Sequence, residues 1–168
     1  SRIHHNRAAS GGGIDASGTV LLQASKIEAN RASSGGGIGF YRGALWIHGS
    51  SLTGNEATGA AAIDLYRFGE TSVHVEASTL AANQNLSVSE PVITHSREGA
   101  SDSLEIVNST LGDDASDTLS FSGAVTLTHV TMLGSLALDV SGTAFIRASI
   151  LGGSCSGTAG ALRSGGHN

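Results

Sequence analysis

Scarcity is the first property of this chain of 168 residues: it holds one cysteine, one proline, one tryptophan, one methionine and, at Lys26, one lysine. A single thiol, Cys155, excludes an internal disulfide. Charged residues make up 14% of the chain, against about a quarter in an ordinary globular domain, and aromatics only 4%. With one lysine and a formal net charge of −5, the clustered cations that phosphate backbones demand are missing, so no nucleic-acid partner is expected. No apolar run approaches the roughly 18 residues of a membrane-spanning helix, and no signal peptide is visible. A mildly acidic, lysine-poor surface suits a secreted bacterial protein.

What is present is glycine, 24 residues of it, and a regularly spaced hydrophobic fraction of 39%. Two blocks nearly superpose: Asn6-Arg7-Ala8-Ala9-Ser10-Gly11-Gly12-Gly13-Ile14, and Asn30-Arg31-Ala32-Ser33-Ser34-Gly35-Gly36-Gly37-Ile38. A weaker third copy runs from Asn55 to Ile63. Placed in register, they open three apolar columns. The first is Ile3, Ile27, Leu52, Leu80, Leu111, Met132 and Ile150. The second is Ile14, Ile38, Ile63, Ile93, Leu119, Leu138 and Leu162. The third consists of pairs two residues apart, Val20/Leu22, Leu45/Ile47, Val73/Val75, Leu104/Ile106, Val125/Leu127 and Ala144/Ile146, which is the period of a strand with one buried face. Leu119 to Gly123 and Leu138 to Gly142 both match Ile14 to Gly18 and end in Ser-Gly.

Three short strands per turn, stacked over about seven turns, predict an all-β fold: a right-handed parallel β-helix (solenoid) forming one domain over residues 1–168, a rod roughly 30 Å long. One turn cannot bury its own apolar face, whereas stacking makes each column a continuous core. Glycine supplies the positive φ that corners need, at Gly18, Gly123 and Gly142 and in the Gly triplets. Asn6, Asn30, Asn55 and Asn83 recur three residues after the first column. They are expected to adopt left-handed turn geometry and to form a structural ladder of stacked amides. Steps along the first column vary from 18 to 31 residues, so extra residues must leave the rod as loops. The longest excursions expected are Tyr66 to Ser72 and Ser87 to Ser103; the second carries Pro91 and the acidic run from Glu98 to Asp102.

The repeated pattern of Ser/Thr-hydrophobic, Asn and Gly-Gly-Gly-Ile resembles bacterial β-helix surface proteins, among them the repeats of chlamydial polymorphic outer membrane proteins. The tail is similar to large secreted proteins that end in a choice-of-anchor Q-type region. The resemblance is carried by Ala148-Ser149-Ile150-Leu151, Cys155-Ser156-Gly157, Leu162 and Ser164-Gly165-Gly166-His167-Asn168. That family commonly pairs the cysteine with another just after the helix closes. Here His167 stands where the family has Tyr, and the sequence ends before a second cysteine. The chain is therefore expected to be a segment of a longer protein, with N-terminal turns and the C-terminal closure outside it. The resemblance implies an extracellular or cell-surface location and an adhesive or structural role.

Chemistry is sparse. Lyases of the pectate type need a calcium-holding carboxylate cluster and a basic residue, but Lys26 precedes the core residue Ile27 with no acidic cluster beside it. Asp113, Asp114 and Asp117 group on one loop rather than across turns. The seven His, including His4-His5, are dispersed, while zinc needs three or four converging ligands; no metal, cofactor or catalytic residue is assigned. Gly-Gly-Gly-Ile is followed by no Lys-Ser/Thr and is not a phosphate loop.

The sharpest candidate lies on the outer face of the third column. If Leu45/Ile47 and Val73/Val75 point inward, Trp46, His48, His74 and Glu76 point outward, and Glu105 follows on the next turn. Trp46, His74 and Glu105 then stack, with His48 and Glu76 alongside. An exposed Trp beside His and Glu suits a sugar ring. The same residues also make sense as an ordinary outer face with cross-strand polar pairs. Tyr41, Tyr66 and Phe68 are expected on loops that extend the candidate site. The function expected is a non-enzymatic structural or adhesive rod binding glycans or host cell-surface proteins. The alternatives are a carbohydrate-active enzyme module (polysaccharide lyase or hydrolase) using Glu76 and Glu105, and a subunit that self-associates end to end into an extracellular fibre.

Overall fold

The computed structural model describes residues 1–66, 70–87, 92–95, 102–112, 117–138, 143–156 and 162–165. Their regular structure is all β-strand, and every strand pairing is parallel. A parallel neighbour needs a crossover connection. Here the connection between two neighbours is the chain's own passage through the other faces.

Three faces result. The first is a seven-stranded sheet from Arg2–His4 through Lys26–Glu28, Ser51–Thr53, Thr79–Ala81, Thr110–Gly112 and Thr131–Met132 to Ile150–Leu151. The second and third belong to one large sheet, joined because Ile14–Gln23 and Ile38–His48 each run through both. The second continues as Ile63–Leu65, Ile93–His95, Asp117–Phe121, Ser135–Leu138 and Cys155–Ser156. The third continues as Thr71–Glu76, Ser103–Val107, Ala124–Thr128, Thr143–Arg147 and Leu162–Ser164. Between the first and second faces a short ladder aligns Arg7, Arg31, Glu56 and Gln84. From the third pass on, residues inserted after Leu65 and after His95 separate the second and third faces into distinct strands.

The third column is buried from Leu22 to Ile146, with Val20 only partly covered; Leu45, Ile47, Val75, Ile106 and Leu127 have no exposed surface. Strand Thr71–Glu76 alternates strictly, with its odd-numbered residues inside. Each such aliphatic side chain contributes roughly 1.5–3 kcal/mol by leaving water. The second column holds from Ile14 to Leu119. Beside it runs an inner lane of Ala16, Phe40, Leu65, His95 and Phe121, in which Phe40 and Phe121 are fully buried.

Register departs from the expected columns near the C-terminal end. Met132 lies opposite Leu151, not Ile150, and Ile150 is 67% exposed. Leu119 lies opposite Leu136, while Leu138 pairs with Phe121. The match of Leu138 to Ile14 is therefore two residues out, and the rest of that block, 139–142, lies outside the described residues. Leu162 belongs to the third face, opposite Ala144. The Ser87-to-Ser103 excursion is interrupted by strand Ile93–His95, which returns to the second face; Pro91 and Glu98 lie outside the described residues.

The corners divide the work differently from the expectation. None of the four ladder Asn residues has positive φ; the residue before each does, at His5 (57°), Ala29 (51°), Gly54 (61°) and Ala82 (53°). A second corner repeats this at Ala24, Gly49, Ala77, Asn108, His129 and Ala148, each one residue before a core-side Ser or Val. The Asn side chains make the ladder itself. Asn6, Asn30 and Asn55 each donate through Nδ2 to the Oδ1 of the next, at 3.0, 3.1 and 2.9 Å. A serine ladder accompanies it: the amides of Ser25, Ser50 and Ser78 donate to the hydroxyls of Ser50, Ser78 and Ser109, all at 3.1 Å. Val130 breaks the series, and its own amide donates to Ser149 Oγ at 3.1 Å.

Alanine in the left-handed region is strained by roughly 1–2 kcal/mol, while Gly is penalised by about 0.5–1 kcal/mol through unfolded-chain entropy. At Gly49, the counterpart of Ala77, an added Cβ meets nothing within 4 Å, so the strain lies in the backbone alone. Ala77→Gly is therefore expected to raise stability by about 0.5–1 kcal/mol, read as a higher urea midpoint with unchanged slope.

Glycine serves two other purposes. Gly18 and Gly43 (φ 86° and 107°) bend the long strands from one face to the next. A register shift between Ala16 and Gly18 sets Ser17 against both Tyr41 and Arg42, a β-bulge at the same corner. In the second Gly triplet, Gly35 needs positive φ, but Gly36 is required by contact: a Cβ there would sit 2.6 Å from the carbonyl oxygens of both Glu56 and Ala61.

Candidate functional site

Strands Ile38–His48, Thr71–Glu76 and Ser103–Val107 place the five candidate residues on one outer surface. Trp46 lies opposite His74 and His48 opposite Glu76. On the next pass His74 lies opposite Glu105. The Trp46 and His74 rings are 4.9 Å apart at 43°. His48 Nδ1 stands 3.2 Å from Glu76 Oε2, and His74 Nδ1 stands 3.0 Å from Glu105 Oε2. His74 Nε2 also approaches Glu76 Oε2 at 3.7 Å. The four polar groups thus form one zigzag, with His74 at its centre and least exposed. Both carboxylates remain about half exposed, at 41% and 53% of their side chains.

A further residue extends this surface. Leu21 is opposite Trp46 and 65% exposed, next to the 45% exposed Trp46. The alternation that turns Val20 and Leu22 inward turns Leu21 out, so the signal was there. Leu21 and Trp46 form an apolar step that leads into the His–Glu network. Chemically, the surface offers a ring face, an aliphatic side chain and several hydrogen-bonding groups.

Tyr41 and Tyr66 are brought together elsewhere, over the second face. Their rings stack at 4.6 Å and 28°. The Tyr41 hydroxyl donates to Asp15 Oδ2 at 3.3 Å and that of Tyr66 to the Ser34 carbonyl at 3.4 Å. Tyr66 lies across Gly39, where a Cβ would be 2.9 Å from its ring. Burial first, and Asp64 nearby, raise its phenol above the ordinary tyrosine value. These tyrosines clasp the corner rather than extend the Trp46 surface; Phe68 lies outside the described residues.

A buried pair was not anticipated. His95 occupies the inner lane between Leu65 and Phe121 and stacks on Phe121 at 4.7 Å. Its Nε2 stands 3.0 Å from Asp102 Oδ2, with both side chains essentially inaccessible. Asp102 Oδ1 accepts the Thr71 amide at 2.5 Å. The available signal was a histidine at a lane position otherwise filled by Ala16, Phe40, Leu65 and Phe121.

Cys155 is exposed, and partial burial of its sulfur raises the thiol above its usual value, opposite to the shift an activated nucleophile needs. Among the described residues no three His, Cys, Asp or Glu converge as metal ligands, and no helix is long and apolar enough to cross a membrane. Asp113, Asp114, His167 and Asn168 lie outside the described residues. No family model, curated protein or solved structure matches the chain.

Proposed function

We propose that the chain is a right-handed parallel β-helix of about seven turns, and that it serves as a structural and adhesive rod in a bacterial cell-surface or secreted protein, binding glycans without turning them over. The parallel stacking on three faces and the near-universal right hand of parallel crossovers support the architecture. The resemblance of the repeats to bacterial surface proteins supports the setting. The observation that carries the binding role is the exposed Leu21–Trp46 step, held on three paired strands beside His48, His74, Glu76 and Glu105. The open Trp46 ring presents the flat apolar face on which a sugar ring can lie.

The same geometry disfavours turnover. A glycosidase keeps one carboxyl protonated by burying it against apolar groups, whereas Glu76 and Glu105 are both open to water and both paired with histidine. The test is a glycan array probed with the native chain and with Trp46→Ala. Binding by the native chain that the variant loses is the expected result. Equal binding of the neutral glycans by both proteins, or binding of none of them by either, would sink the assignment of this surface.

A further inference from the structure

A second surface lies at the corner between the first and second faces. Arg7 and Arg31 are in register on adjacent passes, followed by Glu56 and Gln84. Parallel neighbours are about 4.8 Å apart, and like charges directly opposite one another destabilise a sheet. Only Arg31 is compensated: its Nη1 lies 3.3 Å from Glu56 Oε2. Arg7 has no ion-pair partner among the described residues. Arg7 and Arg31 border a groove of about 150 Å³, whose other walls are Ala8, Ala32, Ser33, Thr58 and Leu86. Leu86 is 41% exposed. Thr58 Oγ1 donates to the Ser33 carbonyl at 2.7 Å, which ties two of the groove's walls together.

Positive charge is concentrated in the N-terminal passes that carry Arg7 and Arg31. Residues 1–48 carry five of the nine Lys and Arg but only two of the 14 Asp and Glu, in a chain whose net charge is −5. Paired guanidinium groups match a carboxylate in plane and charge. A bare inorganic anion would make no use of the alanine and leucine walls, whereas the C–H face of a sugar ring would.

We propose that the Arg7–Arg31 groove binds a carboxylate-bearing sugar of an acidic polysaccharide, with the carboxylate on the guanidinium pair and the ring against Leu86. The ligand class rests on the glycan-binding reading above, while the site shares no residue with the Trp46 surface. Calorimetric titration of the full chain with a galacturonic acid trisaccharide tests it, beside the methyl-esterified trisaccharide and inorganic phosphate. The acid form is expected to bind, and to bind more weakly as salt rises; the methyl ester and phosphate are not. Arg7→Gln, at an exposed position, is expected to weaken binding at least tenfold, with Arg163→Gln, also at an exposed position, leaving it unchanged. Equal binding of the ester, equal competition by phosphate, or equal loss in Arg163→Gln would overturn the proposal. No binding of the acid trisaccharide, while Trp46-dependent binding of neutral glycans persists, would overturn this proposal and leave the first reading standing. Silence from every glycan would overturn both.

Discussion

Asn55→Ala is expected to lower the unfolding free energy by about 3 kcal/mol, measured as a fall in urea midpoint. Asn55 is wholly buried and serves both neighbouring passes. Its Nδ2 donates to the Ile27 carbonyl and to Asn83 Oδ1, each at 2.9 Å. Its Oδ1 accepts the Asn30 amide and Asn30 Nδ2, each at 3.1 Å. Truncation strips the Asn30 amide of its side-chain acceptor and the Ile27 carbonyl of a donor. Each buried polar group left without a partner costs roughly 1–3 kcal/mol. Asn6→Ala is the internal comparison: Asn6 is exposed and its amide reaches only Asn30 Oδ1, so its loss is expected to stay below about 1 kcal/mol. Asn55→Asp keeps the volume and the acceptor but replaces the donor with a second oxygen facing Asn83 Oδ1. It should destabilise at least as much as Ala if hydrogen bonding, rather than packing, is what Asn55 supplies.

Asp102→Ala is expected to destabilise by about 2–5 kcal/mol, because two buried polar groups lose the oxygens that face them, at roughly 1–3 kcal/mol each. Two losses combine. His95 Nε2 loses the carboxylate oxygen 3.0 Å away, inside a lane walled by Leu65 and Phe121. The Thr71 amide loses its 2.5 Å acceptor at the corner where the third face begins. The double variant His95→Phe/Asp102→Asn is expected to recover most of the stability. Phenylalanine already occupies this lane at positions 40 and 121, and the Asn carbonyl preserves an acceptor for Thr71. Recovery follows because an apolar ring in place of His95 leaves no buried ring nitrogen in need of a partner. Failure of the double variant to exceed the single one in urea midpoint would mean that the pair itself holds the corner.

The candidate surface was legible because it follows from alternation alone. Once Leu45/Ile47 and Val73/Val75 are placed inside, the period of two sends Trp46, His48, His74 and Glu76 outward. The observed register sets them opposite one another as the columns require. Leu138 could not be placed this way. Leu136 and Leu138 share a parity, so a slip of two residues leaves both on the same side and the hydrophobic pattern unchanged. Ile150 and Leu151 differ in parity, yet both are apolar. Ser149 distinguishes them, since ladder serines stand two residues before the core position, as Ser25 does before Ile27 and Ser50 before Leu52. His95 was passed over because a histidine two residues from a core position gives no sign of facing inward unless a buried partner awaits it. Asp102, seven residues on and across a corner, is visible only in three dimensions.

By itself, then, the sequence determined the spacing of the passes, the three apolar columns in the first five of them, and which polar side chains share the outer surface of the third face. These depend on periodicity, which is local and repeated. Tertiary structure decided which residue of each corner takes the left-handed conformation, how the last passes slide into register, and which carboxylate meets the buried histidine. It also decided that Arg7 and Arg31 share a groove with Leu86, 55 residues from Arg31 in the chain. Those outcomes depend on how far the connections reach in space, and loops of unequal length erase that information from a one-dimensional pattern.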